Sequence, residues 1–131
     1  MARTLTTPIQ KRLSDVDVFR HVNNVSQQMY FDVGKVEYYD RVLGAEVLEG
    51  RLRIVTAATS TSYVSQARFS DALHVTTVCE KVGGKSIVLL QRLWAGERLC
   101  SESRSVMVAF DFEAQQSVAV PDAWRERLLG D

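Results

Sequence analysis

Apolar and polar side chains alternate one for one at the start of the chain. Leu5, Thr7, Ile9, Lys11 and Leu13 fall on one parity, and Thr6, Pro8, Gln10 and Arg12 on the other. Period two predicts a half-buried strand, with Pro8 near its start or on an edge because it has no N–H to donate. Ser14 to Asn24 then reads as a loop in which Asn23 or Asn24 can cap the element that follows. From Val25 to Leu43 the period lengthens to that of a helix. At about 100° per residue, Val25, Met29, Val36, Tyr39 and Leu43 gather on one side, with Val33 at its margin. Phe31, Tyr38 and Val42 form a second apolar strip. With apolar surface on two sides, this helix is expected to be covered widely. Asp32 falls inside the main strip, where an isolated buried charge is prohibitive. It is expected to be hydrogen-bonded there or to sit at an interface or pocket, and to brace the loop before the helix. Gly44 is a reasonable stop.

The remainder predicts strand after strand. Leu52 to Thr59 is β-branched and apolar and runs on through Ser60 to Ala67. Leu73, Val75, Thr77 and Cys79 alternate with polar partners up to Lys81. Gly83-Gly84 turns the chain into Ile87 to Trp94 as a hairpin. Ala95-Gly96-Glu97 turns it again into a long final strand, where Val106, Val108, Phe110 and Phe112 alternate with Met107, Ala109 and Asp111. Pro121-Asp122 opens a short helix carrying Trp124, Leu128 and Leu129. Strand, long helix, then four or so antiparallel strands make an α+β fold with one sheet curved around one helix. Such a sheet leaves edges and an uncovered face, which favours a homodimer or a homotetramer.

A length of 131 residues suits one domain spanning 1–131. Lys+Arg and Asp+Glu both total 16, so the net charge is zero and nucleic acid is not an expected partner. A zero total still permits a local basic patch for a small polyphosphate ligand. Cys79 and Cys100 lack metal or redox spacing and read as buried small hydrophobes. No apolar run reaches the ~18 residues of a membrane span. Met1-Ala2-Arg3-Thr4 precedes no apolar segment, so neither a signal peptide nor a membrane partner is expected, and the cytoplasm is the default location.

The densest chemistry lies in Asp15-Val16-Asp17-Val18-Phe19-Arg20-His21-Val22-Asn23-Asn24. Two carboxylates, an imidazole and two amides fall where a strand has ended and a helix begins. A helix N-terminus offers unpaired N–H groups to negative charge, and a nearby carboxylate can serve as base or nucleophile. Together they are a minimal kit for hydrolysing an acyl compound. Asp15 reads as structural, bonding loop N–H groups. No metal site is expected, because His74 is the only other histidine and no ligand cluster exists.

The element order and this motif resemble the hotdog-fold acyl-CoA thioesterases, in particular the 4-hydroxybenzoyl-CoA thioesterase-like family. The matching residues are Ser14-Asp15-Val16-Asp17, His21-Val22-Asn23-Asn24 and Tyr30 to Tyr38, with support from Ser70-Asp71-Ala72-Leu73 and Gly83-Gly84-Lys85-Ser86. The resemblance implies a hotdog fold and dimers joined edge to edge, often within tetramers, with sites at the dimer interface. It implies that Asp17 is the catalytic carboxylate, and that the backbone N–H of Asn24 or Val25 polarises the thioester carbonyl. His21 and Asn23 would organise the site. Arg68, Lys85 and Ser86 are candidates for the coenzyme A phosphates; coenzyme A is part of the substrate, and no separate cofactor is expected. Two departures stand out. Gln27, with Gln28 beside it, occupies a position commonly aromatic in relatives. Gly34 replaces a small residue such as alanine, at about 1 kcal/mol of helix propensity.

Two other functions fit the same residues. A hotdog-fold enoyl-CoA hydratase uses an Asp and a His four apart, as Asp17 and His21 are, although Val-Asn-Asn after the histidine belongs to the thioesterase pattern. A non-catalytic acyl-binding module could keep the fold alone.

Overall fold

One antiparallel sheet curls around one long helix in the computed structural model, which describes residues 3–130. Met1 and Ala2, part of the stretch read for a leader, lie outside the described residues, as does Asp131. Strand β1 (Leu5–Ile9) leads through a 3-10 turn (Leu13–Asp15) and a loop into α1 (Asn24–Val42). A short α2 (Glu46–Glu49) precedes four long strands: β2 (Leu52–Tyr63), β3 (Leu73–Val82), β4 (Ser86–Ala95) and β5 (Arg98–Asp111). A short β6 (Gln116–Ser117) and α3 (Asp122–Leu129) close the described chain. The spatial order is β1-β3-β4-β5-β2, with β6 also paired to β5. This is the hotdog arrangement. No described helix is long and apolar enough to cross a membrane.

The inner sheet face follows the alternation in the sequence. Leu73, Val75, Thr77 and Cys79 of β3 and Ile87, Leu89, Gln91 and Leu93 of β4 are buried toward α1. Register shifts at Thr56/Ala58, Cys79/Lys81 and Leu93/Trp94 bend the strands, as bulges do, and help the sheet to curl. Both cysteines are free and buried. Gly44 ends α1 with φ 101°, a left-handed stop that glycine adopts without a Cβ clash.

The face of α1 turned to the sheet takes the whole second apolar strip but only the C-terminal part of the main one, Tyr39 and Leu43. Phe31, Tyr38 and Val42 are buried together with Tyr30 and Tyr39. Val25, Met29, Val33 and Val36 are 72%, 51%, 50% and 52% exposed. Hydropathy cannot tell a stripe that meets its own sheet from one left for another surface. Gly34 explains the choice of face. A Cβ there would stand 2.8 Å from Val75 Cγ1, 3.0 Å from Gln91 Nε2 and 3.1 Å from Thr77 Oγ1. The helix rests on β3 and β4 through this bare backbone, and Gln91 Nε2 donates to the Phe31 carbonyl at 2.8 Å. What reads in the sequence as lost propensity is a close approach. Gly34→Ala is therefore expected to lower stability by about 1–2 kcal/mol in urea unfolding, because overpacking outweighs the propensity gain.

The core divides into two clusters. One, around Tyr38, Leu89, Met107 and Leu128, is closed by α3. The other, around Val22, Phe31, Ala67, Leu73 and Leu93, sits beneath the loop that precedes α1. Val22 and Ala67 thus anchor the chemistry-bearing loop in packed apolar surface.

Candidate active site

The loop before α1 is a miniature ribbon. Asn23 N–H donates to the Asp15 carbonyl at 2.9 Å, Val16 bridges Val22, and Asp17 N–H donates to the His21 carbonyl at 2.9 Å. Val18, Phe19 and Arg20 form its tip, closed by Arg20 N–H on the Asp17 carbonyl at 3.0 Å. Hairpin tips of this kind place a residue in the left-handed region, usually glycine. Here that residue is Arg20, with φ 63°. A side chain in that conformation costs about 1–2 kcal/mol.

Asp17 stands at the base of this tip. Its Oδ1 accepts Phe19 N–H at 2.9 Å and His21 N–H at 3.1 Å. One oxygen therefore fixes the loop. The other has no donor among the described residues, and the side chain lines a cavity of about 260 Å³ with Leu13, Val16, Val18, Arg20 and Phe69. His21 holds the ribbon through its backbone, and the residue borders a second cavity.

The ribbon delivers the chain to the start of α1. Asn23 is the cap, its Oδ1 accepting Ser26 N–H at 2.7 Å while its carbonyl accepts Gln27 N–H at 3.1 Å. The N–H groups of Asn24 and Val25 have no acceptor among the described residues, as the geometry of a helix start requires. They carry the positive end of the helix dipole. Gln27 and Gln28 tie this first turn to the sheet. Ser101 Oγ donates to Gln27 Oε1 at 2.8 Å, and Gln28 Nε2 donates to Thr61 Oγ1 at 2.9 Å and Tyr63 OH at 3.1 Å.

Asp15, 3% exposed, is the brace. The Tyr30 hydroxyl donates to it at 2.6 Å, Arg12 N–H at 2.9 Å and Ser26 Oγ at 3.2 Å. Burial alone would raise its carboxyl, but the Tyr30, Arg12 and Ser26 hydrogen bonds and the Arg12 charge hold it below the ordinary range. The Tyr30 phenol is pushed up by burial and by its bond to Asp15. Asp32 does not brace the loop. Its side chain is 72% exposed and lies 3.7 Å from Lys35 Nζ, one turn along the same helix. Tyr30 escaped the sequence reading as a site residue, although a tyrosine on a buried helix face must find a partner for its hydroxyl.

A third segment completes the mouth. Val22 N–H donates to the Ala67 carbonyl at 2.7 Å, Phe69 N–H to the Arg20 carbonyl at 3.1 Å, and His21 bridges Arg68. Phe19, Arg20, His21, Arg68, Phe69 and Ser70 enclose about 410 Å³. The structure thus brings Asp17, His21, Asn23, Asn24, Val25 and Arg68 into one region. Lys85 and Ser86 are not there. They flank the β3–β4 turn, whereas the loop adjoins the opposite end of β3, where Ile9 pairs with Leu73. A ten-residue strand separates the two by about 30 Å within one chain.

The family model of the thioesterase-like superfamily matches residues 12–128. A curated relative, the uncharacterized protein YsmA of Bacillus subtilis (strain 168), is 27% identical over 125 residues, 92% of this chain and 82% of that protein. A predicted thioesterase from Bacillus stearothermophilus superposes with a TM-score of 0.88 at 27% identity, over 96% of this chain and 94% of that one. A thioesterase from Thermus thermophilus, solved with coenzyme A and Zn, shares the fold with a TM-score of 0.84 at 22% identity, over 94% of this chain and 90% of that one.

Proposed function

The chain belongs to the thioesterase-like superfamily and is a thioester hydrolase of the hotdog fold, and from that premise we propose that it cleaves an acyl-CoA to the free acid and coenzyme A. The observation that carries this is Asp17, with one carboxylate oxygen spent on the loop, the other without a donor among the described residues, and the residue lining a cavity. As base, that oxygen takes a proton from water while the water oxygen attacks the thioester carbonyl. As nucleophile, it attacks directly, giving a mixed anhydride that water then opens. Either way the carbonyl oxygen gains charge, for which the Asn24 N–H, with Val25 next in line, is a preorganised donor. The C–S bond breaks, the thiolate leaves and takes up a proton. His21 and Asn23 position the loop and the helix start.

The same proposal includes a second copy of the chain. The β2 edge is open, and Val25, Met29, Val33 and Val36 are uncovered beside the candidate site. A homodimer, or a tetramer built from it, would cover both and could bring the partner's β3–β4 turn toward this mouth. Coenzyme A is the ligand with which the Thermus protein of this fold was solved, and it is the thiol carrier we propose here.

A panel of saturated acyl-CoAs and crotonyl-CoA tests this, followed by free thiol release. Equal yields of thiol and carboxylate are expected from at least one saturated substrate. Hydration of crotonyl-CoA without thiol release would move the assignment to a hydratase. Acyl-CoA binding with no turnover of any thioester would make it a binding module.

A further inference from the structure

The inward face of the sheet changes character between its two halves. On β3 and β4 the positions turned toward α1 are mostly apolar, with Val75, Cys79, Ile87, Leu89 and Leu93 buried there. On β5 they begin with three buried serines, Ser101, Ser103 and Ser105, before Met107 and Ala109. Strand β2 continues the hydroxyls: Thr59 Oγ1 pairs with Ser105 Oγ at 3.2 Å and Thr61 Oγ1 with Ser103 Oγ at 3.0 Å. Helix α1 leaves β2 uncovered, since Thr56 and Thr59 are exposed and so is much of Tyr63. The trough between helix flank and β2 starts at the first turn of α1, where Gln28 reaches Thr61 and Tyr63. Lys35 lies two turns beyond Gln28 on the same flank. Ser101 meets Gln27 at one end of this stretch, and Met107 packs in the cluster of Tyr39 at the other. Lys35 therefore falls between them, alongside Ser103 and Ser105. It is 7% exposed. The Asp32 carboxylate, 3.7 Å away and turned to water, leaves its N–H donors without an acceptor at hydrogen-bond distance among the described residues. Burial pulls the ammonium pKa down, and the Asp32 charge offsets that in part. One turn further on, the buried Tyr39 hydroxyl has no partner among the described residues. An ammonium held that far from water is costly unless a ligand pairs with it.

We infer that this trough holds the acyl group, and that Lys35 selects an aliphatic chain bearing a hydroxyl or carboxylate at its far end. The inference rests on the acyl-CoA reading and names the class of acid within it. Lys35 lies about 16 Å along the helix axis from Asn24. Its stem leans back toward the N-terminus, which leaves about 10 Å, roughly the reach of eight extended carbons. A thioester carbonyl at the Asn24 N–H thus brings an oxygen at the end of such a chain to the ammonium. A plain hydrocarbon leaves that ammonium unpaired. Selectivity is strong in this direction, because the polar group left without a partner belongs to the buried site itself.

Octanoyl-CoA, ω-hydroxyoctanoyl-CoA and the mono-CoA thioester of octanedioic acid test this. Hydrolysis is followed on the parent, and calorimetric binding on Asp17→Asn, where affinity is read apart from turnover. At least one oxygen-bearing chain is expected to exceed octanoyl-CoA in kcat/KM by about a hundredfold, mostly through KM. A carboxylate preference should fall as salt rises, and a hydroxyl preference should not. Lys35→Met keeps the length of the side chain without its charge. It should abolish the preference while leaving kcat on octanoyl-CoA within about threefold, and it should melt no lower than the parent. Lys35→Arg should keep part of the preference. A parent that takes octanoyl-CoA as readily as the other two, or a Lys35→Met protein that still discriminates, would overturn the selector. Equal loss of turnover on all three substrates in Lys35→Met would overturn it too, by showing a structural lysine. Binding that discriminates through Lys35 without hydrolysis by the parent would sink the thioesterase reading and leave the selector standing. Hydrolysis of all three at one rate would do the reverse.

Discussion

Asp17→Asn is expected to lower kcat by about a thousandfold while moving the thermal midpoint by no more than about 2 °C. Asparagine keeps an oxygen at the position of Oδ1, so the N–H groups of Phe19 and His21 retain their acceptor and the tip stays closed. It offers neither a basic oxygen for water nor a nucleophile for the carbonyl. Steady-state hydrolysis of the best acyl-CoA, read beside differential scanning fluorimetry, separates the two oxygens of one carboxylate. Turnover within about threefold of the parent, less than a positioned base supplies, would remove Asp17 from the chemistry. A large loss of melting temperature would show that an amide does not replace the carboxylate in holding the loop.

The same loop shows what a sequence can and cannot disclose. The change of period placed α1 to within one residue at either end, because helical spacing is a local property. That the sheet leaves Val25, Met29, Val33 and Val36 exposed is not legible there, because Gly34 and Gln91, which set how closely helix and sheet approach, lie far apart in the chain. Alternation from Leu5 to Leu13 outran the strand, since pairing with β3 stops at Ile9 opposite Leu73. The reading of Asp15 as a loop-bonding residue came from its position in the motif, and its three donors agree with it. Asp32 was misplaced because the wheel could not know which side faced water. Lys85 and Ser86 lie at the far end of β3, about 30 Å from the loop within one chain, so only a second copy could bring them to the site, and that is not legible in one sequence. Arg20 gave no signal at all, because a left-handed tip announces itself in sequence through glycine or asparagine, and here neither is present.

Asp15→Asn is expected to cost about 3 kcal/mol at neutral pH and to flatten the acid limb of the stability profile. Three donors, Tyr30 OH, Arg12 N–H and Ser26 OH, converge on this buried carboxylate. An amide accepts through only one of its two termini, so one terminus must face a donor or leave it unpaired. The carboxyl is held below its ordinary range despite burial, because those bonds and the Arg12 charge favour the ionised form. The native state therefore binds the proton less readily than the unfolded chain. Asp15's contribution is full above the unfolded value of about 3.9 and is lost as pH falls through the lower folded value. Urea titrations of parent and variant at pH 7 and at about pH 3 should show their gap narrowing with acid. Tyr30→Phe, which removes the 2.6 Å bond, should reproduce part of the loss and lower turnover with it, because the Asp17 ribbon hangs from the Asp15 carbonyl. A gap of constant size from neutral to acid pH would mean that packing, and not the charge on Asp15, holds this loop in place.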